Sequence, residues 1–310
     1  MPYTNTKVLA AVAIVAIALS PATSWACACG CGVFDISTSS MMPTGPGGNV
    51  WLEYDYLNQS QNWAGTHRAP KEDNDDRQIR TDLYTAGAQY MFNRSWGAQI
   101  TVPYWNRNFT SFDDDSATQA TYNANSFGDV RLKGIYSGLS DDMSTGITFG
   151  VKLPTGSFTT PNFDRDTQIG SGSTDALLGV YHMGALPVGM PFDWFVNGEW
   201  SHAVSIQDHY RPGDEMDAAA GIYYEGFDLG KVGKISPLAQ IIGSTRRHDS
   251  GQNANPDNSG YTRLLVGPGL EYRVGDVKLY SDIETPIYQN VNGDQLVSPI
   301  SFKFSVGYSF

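Results

Sequence analysis

The three cysteines of this chain lie together in one short segment, at Cys27, Cys29 and Cys31. Closely spaced thiolates separated by small residues can bind a soft metal ion such as Cu(I), for which thiolate is a preferred ligand. In an oxidising compartment two of them could instead form a disulfide, and the odd count would leave one thiol over. A lipid attached to Cys27 is a third possibility. The sequence leaves these alternatives open.

A second set of polar residues occurs where apolar and polar residues alternate, on the face opposite the apolar one. A ring of charges of one sign predicts selectivity for ions of the other sign. Here acidic and basic residues are interleaved, which favours ion pairs between them that stabilise a water-filled interior. The candidates for a lumen-facing surface are Glu53, Gln99, Asp129, Arg131, Lys133, Lys152, Glu199, Arg273, Asp282 and Lys303, and Gln89, Asn197, Glu271, Lys278 and Glu284 share these faces.

Catalytic chemistry has little support in the sequence. No serine, histidine and acid grouping stands out, although such a triad need not be adjacent in sequence. The five histidines show no paired metal-ligand spacing. We therefore expect a protein that is not an enzyme and that has no resident cofactor, unless the cysteine segment holds a soft metal ion.

The elements that must position the polar residues are β-strands, because side chains of a strand point alternately to opposite faces. The clearest strand is the last, in which Ile300, Phe302, Phe304, Val306, Tyr308 and Phe310 share one face. Period-2 alternation predicts about twelve strands. They lie near 48–57, 81–92, 95–105, 126–139, 143–153, 174–185, 192–203, 214–226, 235–246, 260–274, 277–287 and 300–310.

The predicted connections between these strands alternate in length. The turns at 93–94, 140–142 and 275–276 are short, and those at 186–191 and 227–234 are intermediate. The other links are long and polar, at 58–80, 106–125, 154–173, 204–213, 247–259 and 288–299. Long loops at one end and short turns at the other are typical of outer-membrane β-barrels.

These patterns predict an all-β fold, a closed antiparallel transmembrane barrel of about twelve strands in up-and-down order. The ring must close because every backbone polar group in the bilayer needs a partner within the protein. Its bore should lie between the filled interior of eight-stranded barrels and the open channel of 16-stranded porins. Aromatic residues near strand ends, Trp51 and Trp105 among them, are expected at the level of the lipid headgroups.

The start of the chain predicts export. Lys7 precedes an apolar run at 8–19 and a stretch of small residues at 22–26, which is the pattern of a cleaved signal peptide. We expect a signal peptide at 1–26, a cysteine-containing segment at 27–47 and a barrel at 48–310. The net charge of −12 argues against nucleic-acid binding, which needs Lys and Arg to displace counterions. The mean hydropathy of −0.30 fits a barrel, because only alternate residues face lipid.

Three short motifs resemble one family of bacterial outer-membrane proteins. They are SFGDVRLKG at 126–134, KLPTGSF at 152–158 and IGSGSTDALLGV at 169–180. These motifs look like those of the proteins assigned to the MetA pathway of phenol degradation, and that family is regarded as transporters or channels for aromatic compounds. The terminal Phe310 resembles the residue that marks the last strand of outer-membrane barrels for the insertion machinery.

The sequence as a whole predicts a protein of the bacterial outer membrane in contact with its lipid and lipopolysaccharide. Our leading hypothesis is a passive channel for small, aromatic or apolar solutes that acts through lumen geometry and loop gating. The alternative hypothesis is an outer-membrane protein that handles a soft metal ion through the Cys27–Cys31 segment.

Overall fold

The computed structural model of the chain describes residues 42–43, 45–113, 118–186, 189 and 191–310. The predicted signal peptide and most of the 27–47 segment, including its three cysteines, lie outside these residues. The predictions made for the three cysteines and for the cleavage site therefore stay predictions.

Twelve antiparallel strands form a closed barrel, as the alternation predicts. Each strand pairs with the next along the chain, and the last pairs with the first, so that Glu53 lies opposite Ser305. The strands are β1 Gly47–Gln59, β2 Asp76–Met91, β3 Trp96–Asp113, β4 Thr118–Phe127 continued as Val130–Tyr136, β5 Thr145–Leu153, β6 Ser173–Ala185, β7 Phe192–Ile206, β8 Glu215–Tyr224, β9 Lys234–Arg246, β10 Tyr261–Val274, β11 Val277–Val297 and β12 Ser301–Ser309.

The two faces of the barrel wall differ as the sequence predicts, and β12 shows this most clearly. Its outward side chains, from Phe302 to Tyr308, are apolar and 39–48% exposed. Its inward residues Ser301, Lys303 and Ser305 are buried. An apolar outer surface beside a polar interior is the arrangement that a strand needs between lipid and a wet lumen.

The barrel has a turn end and a loop end. At the turn end, Asn93 caps the tight β2–β3 turn, and its Oδ1 accepts hydrogen bonds from the backbone N–H groups of Ser95 and Trp96 at 2.8 and 2.9 Å. The first and last strands meet at the same end, where Gly48 and Phe310 exchange two backbone hydrogen bonds of 2.7 and 2.9 Å. The loop end carries the links before β2, β4, β6, β8, β10 and β12.

Short elements accompany the barrel strands. The hairpin Gln61–Gly65 and His67–Arg68 adds to the far end of β11, Tyr210–Arg211 pairs with Ser250–Gly251, and Phe227–Asp228 pairs with β9. Where the structure describes the chain, single turns of 3-10 helix lie at Lys71–Asp73, Gly230–Val232 and Pro256–Asn258. Within the described residues, no helix is long and apolar enough to cross a membrane.

Several strands at the loop end are longer than predicted. The predicted link at 288–299 is mostly part of β11, which continues to Val297, and β3 runs on to Asp113 instead of ending near 105. The outer faces of these extensions carry polar residues such as Asn108 and Asn290, because the extensions lie beyond the apolar band of the wall. The alternation of apolar and polar residues therefore ends before the strands themselves do.

Trp51 and Trp105 were predicted at the headgroup level, and both predictions are wrong. Trp51 is only 6% exposed and lies on the inward face of β1, in the same alternation as Glu53. Trp105 lines an internal cavity and stacks beneath Arg107 at 4.7 Å. Alternation within the strand, and not closeness to the strand end, decides which way an aromatic points.

Trp51 fits because the residue paired with it in β2 is Gly87. A Cβ atom on Gly87 would lie 2.1 Å from the indole ring, so Gly87→Ala should force the buried ring to move. We expect this overpacking to lower the free energy of unfolding by about 1–3 kcal/mol. Denaturant unfolding in lipid vesicles measures the change. Gly45→Ala is the control, because that Cβ would have no atom within 4 Å, and equal stability of the two variants would contradict the prediction.

Candidate functional site

The inward faces of β11, β12 and β1 carry four carboxylates around one ammonium group. Lys303 lies directly opposite Asp55 in one neighbouring strand and Asp282 in the other, with Glu53 and Glu284 on the diagonals. Its Nζ atom is 3.6 Å from Asp55 Oδ1 and 3.9 Å from Glu53 Oε1. We call these five residues the Lys303 cluster.

Neutral donors bind two of the four carboxylates in the Lys303 cluster. Tyr280 and Gln240 both donate to Oδ2 of Asp282, at 2.7 and 2.6 Å, and Ser301 donates to Glu284 at 3.3 Å. Lys303 itself is 6% exposed. Buried charges are tolerated only when they are paired and hydrogen-bonded. The positive charge of Lys303 on β12 therefore stabilises the buried carboxylates of β1 and β11.

A second group of ion pairs extends across the interior. Glu199 on β7 forms an ion pair with Arg131, whose Nη1 atom is 3.3 Å from Glu199 Oε1, and a second ion pair with Lys133. Both of these bases project from β4. Two strands lie between β4 and β7, so the pairs form a chord inside the barrel and narrow its bore. Gly179 on β6 lies beneath this chord, where a Cβ would collide with the Thr148 hydroxyl at 2.4 Å and would only touch the Glu199 carboxylate, at 3.6 Å.

Lys152 on β5 extends this group towards the loop end. Its Nζ atom is 2.5 Å from Asp175 Oδ2 and 3.9 Å from Asp129 Oδ2. Ser173 and Ser201 also donate to the two oxygens of Asp175, at 2.6 and 3.2 Å. We call Asp129, Arg131, Lys133, Lys152, Asp175 and Glu199 the mixed cluster.

The β5–β6 connection, residues 154–172, folds into the loop end of the barrel, and we call it the inner loop. Asp129 binds both of its ends, accepting hydrogen bonds from the Gly156 N–H at 3.0 Å and from the Ser171 N–H and hydroxyl at 2.9 and 2.6 Å. Arg107 on β3 donates to the carbonyls of Thr167 and Gln168, at 2.6 and 3.2 Å.

Apolar contacts bury the same loop. Phe163 and Ile169 pack against Ile79 and Phe109 from the inner faces of β2 and β3, and against Leu296 of β11. The inner loop is therefore attached to the barrel wall by charged hydrogen bonds and by apolar burial. Both kinds of contact hold it across the entrance to the lumen.

Two internal cavities lie on either side of the mixed cluster. The larger, about 160 Å³, opens at the loop end between the inner loop and the wall, and we call it the vestibule. The smaller, about 50 Å³, lies towards the turn end, where Met42 and Pro43 contribute to its lining. Lys133 and Glu199 line the smaller cavity, whereas Arg131, Lys152 and Asp175 line the vestibule. The mixed cluster is thus the constriction between them.

Tyr210 forms part of the vestibule wall and joins two loops. Its hydroxyl donates a hydrogen bond to Asp249 Oδ2 at 2.6 Å. Asp249 Oδ1 accepts hydrogen bonds from the Arg246 guanidinium and from the Gly213 N–H. Burial, together with the neighbouring Asp249 carboxylate, raises the pKa of Tyr210 well above its usual value. The tyrosine therefore remains a neutral donor at physiological pH.

The structure separates the predicted lumen residues into distinct groups. Glu53, Asp282 and Lys303 belong to the Lys303 cluster, and Asp129, Arg131, Lys133, Lys152 and Glu199 belong to the mixed cluster. Gln99 lies beside Lys133 in the wall of the smaller cavity. Arg273 joins neither cluster, because its side chain is 55% exposed and it pairs with Glu271 near the last turn.

Sequence reasoning missed Asp55, Arg107, Asp175 and Arg165. Asp55 has the same alternation as Glu53 and could have been found from it. Arg107 lies beyond the predicted end of its strand, and Asp175 lies at the start of the strand predicted at 174–185, where alternation is less clear than in the other strands. Arg165 is in a loop, where alternation carries no signal. Among the described residues, no group of three or more His, Cys, Asp or Glu side chains could hold a metal ion.

Comparisons with known proteins connect this geometry to solved barrels. No protein-family model matches the chain, and neither does any curated protein. The COG4313 outer membrane channel from Pseudomonas putida F1 is 12% identical with a TM-score of 0.64, covering 89% of this chain and 100% of that one. The β-domain of the Bordetella autotransporter BrkA is 11% identical with a TM-score of 0.51, covering 86% and 100%.

These likenesses are to outer-membrane barrels, and at such low identity they show the fold. The resemblance of the three motifs to the phenol-degradation family stays a prediction. A closed barrel with an apolar outer surface and a polar interior satisfies every requirement for spanning a bilayer with strands. The chain is a twelve-stranded β-barrel of the bacterial outer membrane.

Proposed function

We propose that the protein is a channel that passes small solutes across the outer membrane without covalent chemistry. The observation that carries this proposal is the vestibule, a polar cavity inside a closed barrel that is bounded by the inner loop and by the mixed cluster. In barrels of this kind the long loops face the outside of the cell. Solutes would therefore enter at the loop end and leave at the turn end.

The geometry favours small solutes. The ion pairs between β4 and β7 occupy the middle of the bore, and the inner loop covers its entrance. Passage requires these groups to separate briefly, or requires a solute that slips between them. Large solutes are excluded on either route.

The vestibule wall also has an apolar side, which supports aromatic or apolar cargo. Leu83, Pro103, Trp105 and Ile169 line it beside the charged residues. Pockets that combine apolar walls with a few polar groups bind organic molecules well, because the apolar part is removed from water and the polar groups orient it. The resemblance of the 126–134 and 152–158 motifs to phenol-degradation proteins supports the same class of solute.

Transport assays test the proposal. The refolded barrel in planar bilayers should give discrete steps of ion conductance, and liposomes containing it should take up phenol or arabinose faster than protein-free liposomes. A correctly folded barrel that neither conducts ions nor admits either solute would overturn the channel function.

The cysteine segment supports a second proposal, the handling of a soft metal ion by Cys27, Cys29 and Cys31. Intact mass spectrometry of the mature N-terminus, with and without reductant and chelator, separates metal, disulfide, lipid and free-thiol states. A variant with all three cysteines replaced by serine should lose copper binding. Unchanged metal content and metal tolerance would contradict this role.

We also propose contact with lipopolysaccharide and delivery by the barrel-insertion machinery through the last strand.

A further inference from the structure

Arg165 in the inner loop presents its guanidinium group to the vestibule. The group lies 4.2 Å from the ring centre of Tyr210 and 5.1 Å from that of Phe158, and Nη2 donates to the Ser171 carbonyl at 2.7 Å. The other two nitrogens, Nε and Nη1, are shielded from solvent and have no hydrogen-bond partner among the described residues.

Arg165 differs in this respect from the other cations of the vestibule wall. Lys152, Arg131 and Arg246 each pair with a carboxylate, at 2.5, 3.3 and 2.6 Å. Arg107 donates to two carbonyl groups and to the Thr81 hydroxyl. Arg165 forms no ion pair with any carboxylate in the described part of the chain.

Buried donors without partners are rare, and each costs free energy until an acceptor forms a hydrogen bond with it. The four carboxylates of the same wall, Asp129, Asp166, Asp175 and Glu215, do not supply that acceptor, since none forms an ion pair with Arg165 within 4.0 Å among the described residues. The vestibule volume of about 160 Å³ exceeds what one water needs, so it has room for a small organic molecule. An acceptor that arrives with the solute would satisfy Arg165.

We propose that the vestibule binds a small aromatic carboxylate, with its carboxylate on Arg165 and its ring against the apolar wall of Leu83, Trp105 and Ile169. Guanidinium groups match carboxylate geometry and stack on aromatic rings, so Arg165 suits both parts of such a solute. This inference rests on the proposed channel function and deepens it by naming the class of solute that the entrance selects.

Binding to the purified, folded barrel in detergent tests the inference independently of transport. Calorimetric titrations compare benzoate with benzyl alcohol and benzylamine, which have the same ring but a neutral or a cationic group. We expect benzoate to bind most tightly, and Arg165→Gln to weaken it by about tenfold, as the loss of a charge-assisted hydrogen bond implies. Arg165→Lys should retain part of the affinity.

Arg68→Gln is the matched control, because it removes the same charge from an exposed hairpin at the loop end and should leave benzoate affinity unchanged. Heat-dependent gel mobility confirms that each variant is folded. Failure of benzoate to bind, equal affinity for benzyl alcohol, or equal affinity of the Arg165→Gln variant would overturn the inference. Ion conductance in potassium chloride tests the channel separately, so that failure of one proposal is distinguishable from failure of the other.

Discussion

Lys303→Met is expected to destabilise the barrel by about 3–5 kcal/mol at neutral pH, the usual cost of removing one partner from a buried charge group. The substitution leaves Glu53, Asp55, Asp282 and Glu284 facing one another with no cation among them. Methionine keeps a similar length and an apolar stem, so loss of charge is the main change. Denaturant unfolding of the barrel in lipid vesicles measures the effect.

Acidic conditions provide an internal check on this prediction. Protonation of the four carboxylates removes their mutual repulsion, so the difference between Lys303→Met and the wild type should shrink as the pH falls. Lys231→Met is the matched control, because Lys231 is exposed in a turn at the other end of the wall. If both lysine variants lose the same stability, or if the loss at Lys303 is independent of pH, the cluster does not stabilise the barrel in the way we describe.

Asp129→Ala is expected to raise single-channel conductance several-fold, because it removes three hydrogen bonds that bind both ends of the inner loop. Arg107→Ala should also raise the conductance, because it removes the hydrogen bonds that hold the loop at residues 167 and 168. The double variant should have a higher conductance than either single variant. Planar-bilayer recording measures the conductance, and greater current noise is expected as the loop moves in and out of the entrance.

Asp73→Ala is the control for this experiment, since Asp73 is exposed in a single helical turn at the same end of the barrel. It changes the net charge equally and should leave the conductance unchanged. Asp129→Asn should have an intermediate effect, because the amide oxygen can still accept from one end of the loop. Unchanged conductance in all the Asp129 and Arg107 variants would show that the inner loop does not limit passage.

The strand pattern of this protein could be predicted because it depends on short-range rules. In β12, apolar residues alternate with Ser301, Lys303 and Ser305, and the structure places the two sets on opposite faces. The same rule located all twelve strands. It failed at the ends of β3 and β11, where the strands leave the apolar band and polar residues such as Asn108 and Asn290 replace the apolar ones on the outer face.

The site was only partly predictable. Alternation identified Arg131, Lys133 and Glu199 as inward residues without indicating which of them pair. Arg107 was missed with the end of its strand, and Arg165 was missed because a loop has no period. Trp51 was assigned to the wrong face, because closeness to a strand end was preferred to its alternation with Glu53.

By itself, the sequence determined the all-β class, the strand number and the need for closure, because side-chain alternation and backbone pairing in lipid are local requirements. Tertiary structure alone decided which charges meet. Glu199 reaches Arg131 and Lys133 across two intervening strands, and Asp129 binds a loop that returns to it from residues 156 and 171. Such contacts depend on strand register and barrel curvature, which bring together residues that no sequence spacing relates.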